Sequence, residues 1–318
     1  MIQESGNSRA LTQWTTAMAL SGTIGAVVLE SGAEAPAVAF ARCLVGGLLL
    51  AAWCATRGWL RPAALRSGLT PRDLTLAVLG GVLLVGNWVL LFASYALSSI
   101  SISTVIYHTQ PLLLVGLAAA LLGERITSSH LVRAIVAFAG VALISLGAQG
   151  SGGEPVGIAG VALALAAAVL YAGASLIAKQ LAHIRPHLLA AIQCSVGAVL
   201  LAPALAYTPL PSDTGGLLWL VLLGSVHTAV MYVLMYASIG KLPTGTVALV
   251  SYLYPVVAVV VDVLAYDHRI TLVEGIGMVS VLAAAMTPRG SRTRRVREPR
   301  GAVSRDSDRC GTRTRAHR

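Results

Sequence analysis

Ten stretches of the sequence, each about long enough to cross a bilayer as a helix, carry almost no charge, and nothing else limits the fold as tightly. They run from Leu11 to Leu29, Ala37 to Ala55, Leu74 to Leu97, Ile100 to Leu122 and Leu131 to Leu146. The second set runs from Val156 to Ala178, Leu188 to Tyr207, Leu217 to Ile239, Thr244 to Ala265 and Leu272 to Met286. A helix rising about 1.5 Å per residue needs about 20 apolar residues to cross a hydrocarbon core about 30 Å thick. Inside lipid the backbone has no water to bond to, so only a helix or a closed barrel can cross. The period-2 alternation of a barrel strand is absent, which leaves helices. Composition agrees, with 56% apolar and 11% charged residues against about 25% charged in a soluble domain. The expected fold class is an all-α membrane protein with ten transmembrane helices.

Lysines and arginines fix the expected orientation, because cytoplasmic loops carry them in excess. Arg57, Arg61, Arg66 and Arg72 fall between the second and third stretches, Arg125 and Arg133 beside the fourth-to-fifth connection, and Lys179 and Arg185 between the sixth and seventh. The alternate connections ESGAEA, AQGSGGEPV and TPLPSDTGG have none, and only Arg269 falls on the wrong side. This predicts a multi-pass protein of the inner (plasma) membrane with both termini cytoplasmic. After Pro288 come eleven arginines against Glu298, Asp306 and Asp308, so the tail holds eight of the net +10. Residues 288–318 therefore read as a disordered basic cytoplasmic tail, a topology signal or a contact for anionic lipid, and not as a nucleic-acid site.

Gly80 to Thr127 recurs as Gly224 to Thr271 at an offset of 144 without a gap. NWVLLFAS lies over MYVLMYAS, Pro111 over Pro255, and Glu124 to Thr127 over His268 to Thr271. RCLVGGLLL (Arg42 to Leu50) lies over QCSVGAVLL (Gln193 to Leu201) at an offset of 151. Five stretches separate each matched pair, and five is odd, so the second copy crosses in the opposite sense. Residues 1–148 and 149–287 are then two inverted five-helix repeats, the architecture of secondary transporters.

The run PLLLVGLAAALLGERIT, with a proline in the fourth and ninth stretches, resembles the EamA-type transporters of the drug/metabolite transporter superfamily over about residues 11 to 287. The resemblance implies two halves around a central cavity and the export of amino acids, other metabolites or drugs. Tyr266, Asp267 and His268 stand where the pattern expects Leu-Gly-Glu.

Polar side chains at membrane depth need a partner, water or a ligand. Thr104, His108, Pro111 and Val115 share one helix face with Tyr107 beside them, and Ala248, Tyr252, Pro255 and Val259 share the equivalent face with Ser251 over Tyr107. Asn87 and Trp88 stand opposite Met231 and Tyr232, with His227 one turn earlier. The candidate substrate-binding set is thus Asn87, Trp88, Tyr107, His108, His227, Tyr232, Ser251 and Tyr252. Interhelical bonding or packing is the competing role for the histidines, for Asn87 and Gln193, and for Tyr232, Tyr252 and Tyr254. Pro111 and Pro255 leave the carbonyls of Tyr107 and Ser251 without their helical donor, which makes them gating candidates or fixed kinks. Arg42 is expected to snorkel to the outer headgroups and pair with Glu30 or Glu34, the alternative being a grip on a substrate carboxylate. Asp262 and Glu274 read as interfacial, and Glu124 as a local partner of Arg125 or Arg133.

Cys43, Cys54, Cys194 and Cys310 show neither metal-ligand nor disulfide spacing, so no metal or cofactor is expected. Energy would come from a proton or ion gradient, with His108 or His227 as proton site, or the protein is a facilitator. The expected partners are a small-molecule substrate and membrane lipid. An intramembrane hydrolase, built from a serine and a histidine on different helices, and a non-transporting scaffold are the competing functions.

Overall fold

The computed structural model describes residues 2–98, 100–147, 157–267 and 269–286, all within one compact unit, Met1–Met286. The connection 148–156 with the boundary between the repeats, His268, Cys310 and the tail 288–318 lie outside the described residues. The first half contains α1 (Ile2–Gly22), α2 (Ile24–Ser31), α3 (Ala35–Thr56), α4 (Pro62–Gly68), α5 (Pro71–Leu97), α6 (Ile100–Tyr107), α7 (Gln110–Leu122) and α8 (Ser128–Gly147). The second contains α9 (Ile158–Gln180), α10 (Pro186–Leu201), α11 (Thr214–Gly224), α12 (Met231–Ile239), α13 (Thr244–Ser251), α14 (Leu253–Tyr266) and α15 (Leu272–Met286). Among the described residues there is no strand.

Eight helical segments are long and apolar enough to cross a membrane, and they correspond to the second through ninth stretches. The first stretch is broken at Thr23, whose hydroxyl bonds back to the Leu20 carbonyl at 2.9 Å. The last is a helix of 15 residues, about 22 Å long at 1.5 Å per residue and short of a full crossing. Glu274 is buried at its start, where its carboxylate accepts from the Thr271 N–H at 2.6 Å and caps the helix.

Local chemistry sets several of the helix ends. Prolines occupy the first turns of α3, α4, α5 and α10, where their missing N–H costs nothing. Thr70 and Asp73 close a reciprocal cap on α5. Gly123 ends α7 in the left-handed conformation at φ 66°, and Asp267 ends α14 in the same way at φ 53°. These positions are 144 apart. Aspartate is one of the few residues that visits this region readily, so the backbone turn survives the loss of the Leu-Gly-Glu pattern.

The packing has a reciprocal pattern. Helix α5 lies on α9, and α1 lies on α12; α7 meets α9, and α14 meets α1; α10 meets α5, and α3 meets α11. Two pairs, α3 with α10 and α8 with α15, join matched elements of the two halves, and α7 with α13 joins the matched fourth and ninth stretches. Between α8 and α15 the backbones nearly touch, for a Cβ on Gly140 would sit 2.7 Å from the Gly277 carbonyl oxygen. Small residues permit such an approach. Further along the same pair, Arg133 Nε donates to the Ala284 carbonyl at 2.9 Å. Moving Gly140 on by 144 gives Ala284, and moving Arg133 on by 144 gives Gly277, so the two contacts exchange into one another.

Candidate functional site

Two helix breaks build the site. Helices α6 and α7 are separated by His108 and Thr109, and α13 and α14 by Tyr252. Each break comes just before a proline, at matched positions of the repeat, where the helical donor is missing. The Tyr252 hydroxyl, wholly buried, donates to the His108 carbonyl at 3.2 Å, so the equivalent residues of the two halves touch. His108 Nδ1 lies 2.6 Å from the Thr104 carbonyl. A carbonyl only accepts, so Nδ1 carries the proton of that bond. Nε2 is buried with no partner among the described residues. The His108 ring stacks on Tyr254 at 4.8 Å between centroids.

Beside these breaks lies a cavity of about 480 Å³, within the range of small-molecule sites. Trp88, Tyr107, His108, Pro111, Tyr232 and Ser251 line it. Asn87, His227, Tyr252 and Pro255 do not. Asn87 stands behind the wall and accepts from the Tyr107 hydroxyl at 2.8 Å, so it positions a lining residue. His227 Nε2 is 2.8 Å from the Thr23 hydroxyl, and Ser225 bonds to the Val221 carbonyl at 2.8 Å, so these two form no hydrolytic pair. The lining also includes residues that sequence reasoning did not select. Tyr171 stacks on Tyr107 at 5.9 Å with the rings 3° from parallel, and Gln110, Phe92, Tyr254 and Asp262 are also on the wall. Tyr171 was findable as the one large polar-tipped side chain in the alanine-rich sixth stretch.

Arg42 departs most from expectation. It is 8% exposed and lines the cavity, and it does not snorkel. Glu30 bonds instead to the Tyr266 hydroxyl at 2.9 Å, and among the described residues no carboxylate lies within ion-pair distance of Arg42. A π-helical turn over Ser225–Val230 makes room for it. The widened turn lets the Thr228 hydroxyl accept from Arg42 Nε at 3.3 Å and the His227 carbonyl accept from Nη2 at 3.3 Å. Trp88 covers the guanidinium, its ring centroid 4.7 Å from Cζ. Turns of this kind often mark functional positions.

The cavity runs toward the end of the molecule that carries the Gly32–Glu34 connection, where Ala35, Val28 and Asp262 line it. A second hollow shares Gly25, Ala26 and Asp262 and continues past Leu29 and Tyr266. No residue that lines this cavity comes from the opposite, basic end. There Glu124 Oε1 pairs with Lys179 Nζ at 2.6 Å, and Oε2 accepts from the Thr244 hydroxyl at 2.6 Å. Glu124 therefore bonds across the two halves and not with Arg125 or Arg133. The left-handed turn at Gly123 aims it there, while Arg133 is occupied by the Ala284 and Ala285 carbonyls.

Comparison with known proteins adds three findings. The chain matches the family described as "EamA-like transporter family" twice, over residues 14–146 and 158–287. It is 28% identical over 286 residues to "Uncharacterized transporter YxxF" of Bacillus subtilis (strain 168), across 89% of this chain and 90% of that protein. A solved structure described as "Crystal structure of protein" superposes with a TM-score of 0.76 at 23% identity, over 88% of this chain and 96% of its own, a likeness of fold alone.

Proposed function

Since the chain belongs to the EamA-like transporter family, we propose that this multi-pass membrane protein is a secondary transporter exporting a small metabolite, an amino acid or related amphiphilic solute, by alternating access. The observation that carries this reading is the cavity at the crossing of two proline-broken helices, sealed at the basic end by Glu124, Lys179 and Thr244 and continuous with a hollow at the other. Ten crossings arranged as two inverted repeats, 1–148 and 149–287, account for the double family match and for the exchange of Gly140–Gly277 into Arg133–Ala284. In that arrangement α1 with α2, and α15, supply the first and tenth crossings. The basic end is cytoplasmic by its arginines, which places the termini and the tail 288–318 inside and makes the described state outward-open in the inner (plasma) membrane. Substrate contact falls to Trp88, Tyr107, His108, Tyr232 and Ser251. Asn87 and Tyr252 bond to Tyr107 and His108 from behind the wall, His227 gives its carbonyl to Arg42, and Pro111 and Pro255 give each broken helix its hinge. A proton or ion gradient would drive the cycle, with His108 the buried group best placed to take part.

Counterflow of intact solute into proteoliposomes tests the proposal. Tyr252→Phe deletes one hydrogen bond, worth about 1 kcal/mol, and is expected to cut transport several-fold with an unchanged yield of folded protein. His108→Ala is expected to do the same or worse. Normal transport by both variants would remove these residues from the mechanism. A wild-type protein that exchanges no solute above empty liposomes would remove the carrier reading itself.

A further inference from the structure

We infer, on the carrier reading above, that Arg42 is the anchor of the substrate site and that the substrate is a carboxylate-bearing solute with an apolar or aromatic body. A guanidinium offers five N–H donors in a planar fork. Thr228 and the His227 carbonyl take one each, from Nε and Nη2. The remaining donors belong to Nη1 and Nη2, the pair whose spacing matches the two oxygens of a carboxylate. A buried cation without a counter-ion is costly, and it is retained where a ligand completes it. Arg42 is such a cation: nine-tenths buried, on a cavity wall, with no carboxylate in reach among the described residues.

The rest of the wall fits the other end of the same molecule. Trp88, Tyr107, Tyr171 and Tyr254 are among the residues that line the cavity, and aromatic side chains suit an apolar or aromatic group. The repeat shows that the charge is not required by the fold, since the position matched to Arg42 holds Gln193, whose carbonyl oxygen takes the Tyr236 hydroxyl. Among the described lining residues the one carboxylate is Asp262, exposed at the mouth and not set beside Arg42. The carboxylate of the substrate is therefore the required group and an amine is optional.

The test uses purified full-length protein and three probes of one size: phenylalanine, 3-phenylpropanoate, which lacks the amine, and phenethylamine, which lacks the carboxylate. Equilibrium binding and proteoliposome exchange are measured for wild type, Arg42→Lys and Arg42→Gln. The two acids are expected to bind within a few-fold of each other and phenethylamine at least tenfold more weakly. Arg42→Gln is expected to lose at least tenfold for the acids and nothing for the amine, and Arg42→Lys, which keeps the charge and loses the fork, to fall between. Preference for phenethylamine, acid binding that survives in Arg42→Gln, or no acid binding by wild type overturns the assignment. Because the wild-type preference is read without any variant, a misfolded Arg42→Gln does not blunt the test. Exchange of phenethylamine alone sinks the anchor and leaves the carrier standing, whereas acids that bind and never cross sink the carrier and leave the anchor.

Discussion

Lys179→Met is expected to abolish most transport by freeing the closed end of the molecule. Glu124 would lose its cation and keep only Thr244, and the first half would lose an ion pair to the second at that end. A hydrogen bond to a charged group is worth about 1.5–3 kcal/mol, which in a two-state carrier changes the ratio of states by roughly ten- to a hundredfold. The variant should label at engineered cysteines beside Glu124 under conditions that leave the wild-type background unreactive. Glu124→Gln should behave alike, and the Lys179→Met, Glu124→Gln double variant should add little, because both changes break one pair. Unchanged labelling in all three would show that the pair bears on nothing but the surface.

The same pair gives a pH dependence with a definite sign. Burial pushes the Glu124 carboxyl upward, but the Lys179 bond, the Thr244 bonds and the Lys179 charge outweigh it and hold the carboxyl below its ordinary range. A carboxylate depressed in this way contributes stability above its unfolded pKa and loses it as pH falls through the folded value. The closed end is thus intact at neutral pH, and acid below the usual glutamate range should make wild type label like Glu124→Gln.

Trp88→Ala should be the most destabilising change in the cavity wall. Truncating a buried aromatic costs about 3–5 kcal/mol through lost burial and the void left behind. Trp88 also supplies the ring over Arg42, a contact worth about 0.5–2 kcal/mol. Detergent-solubilised Trp88→Ala should therefore melt well below wild type, and Trp88→Phe, which keeps a ring, should recover most of the loss. If alanine and phenylalanine variants melt with wild type, Trp88 neither packs the wall nor shields the guanidinium.

What the sequence makes legible follows from what is local. The helices are legible because lipid leaves the backbone no alternative, and the two breaks because proline removes a donor wherever it stands. The matched turns at Gly123 and Asp267 show that the repeat outlasts its own motif. Features that depend on distant segments meeting are not legible. Depth along a helix suggested that Arg42 could reach the headgroups, but a π turn some 185 residues away captures it. Neighbours in sequence suggested Arg125 for Glu124, yet its partners lie on α9 and at the start of α13. Asn87, His227 and Tyr252 share the faces of lining residues and still fall one layer behind them, since a helical repeat fixes direction and not how far the cavity extends.

The central claim is that the two halves rock so that the cavity opens at one end as it closes at the other. Spin-label distances on two pairs test it most directly: Leu29 with Leu264 near the end where the cavity opens, and Arg125 with Lys241 across the Glu124 seal. Under exchange conditions each pair should show two distances, the first narrowing in the population where the second widens, with Lys179→Met favouring the widened second pair. A single unchanging distance in both pairs, or two that widen together, would contradict it.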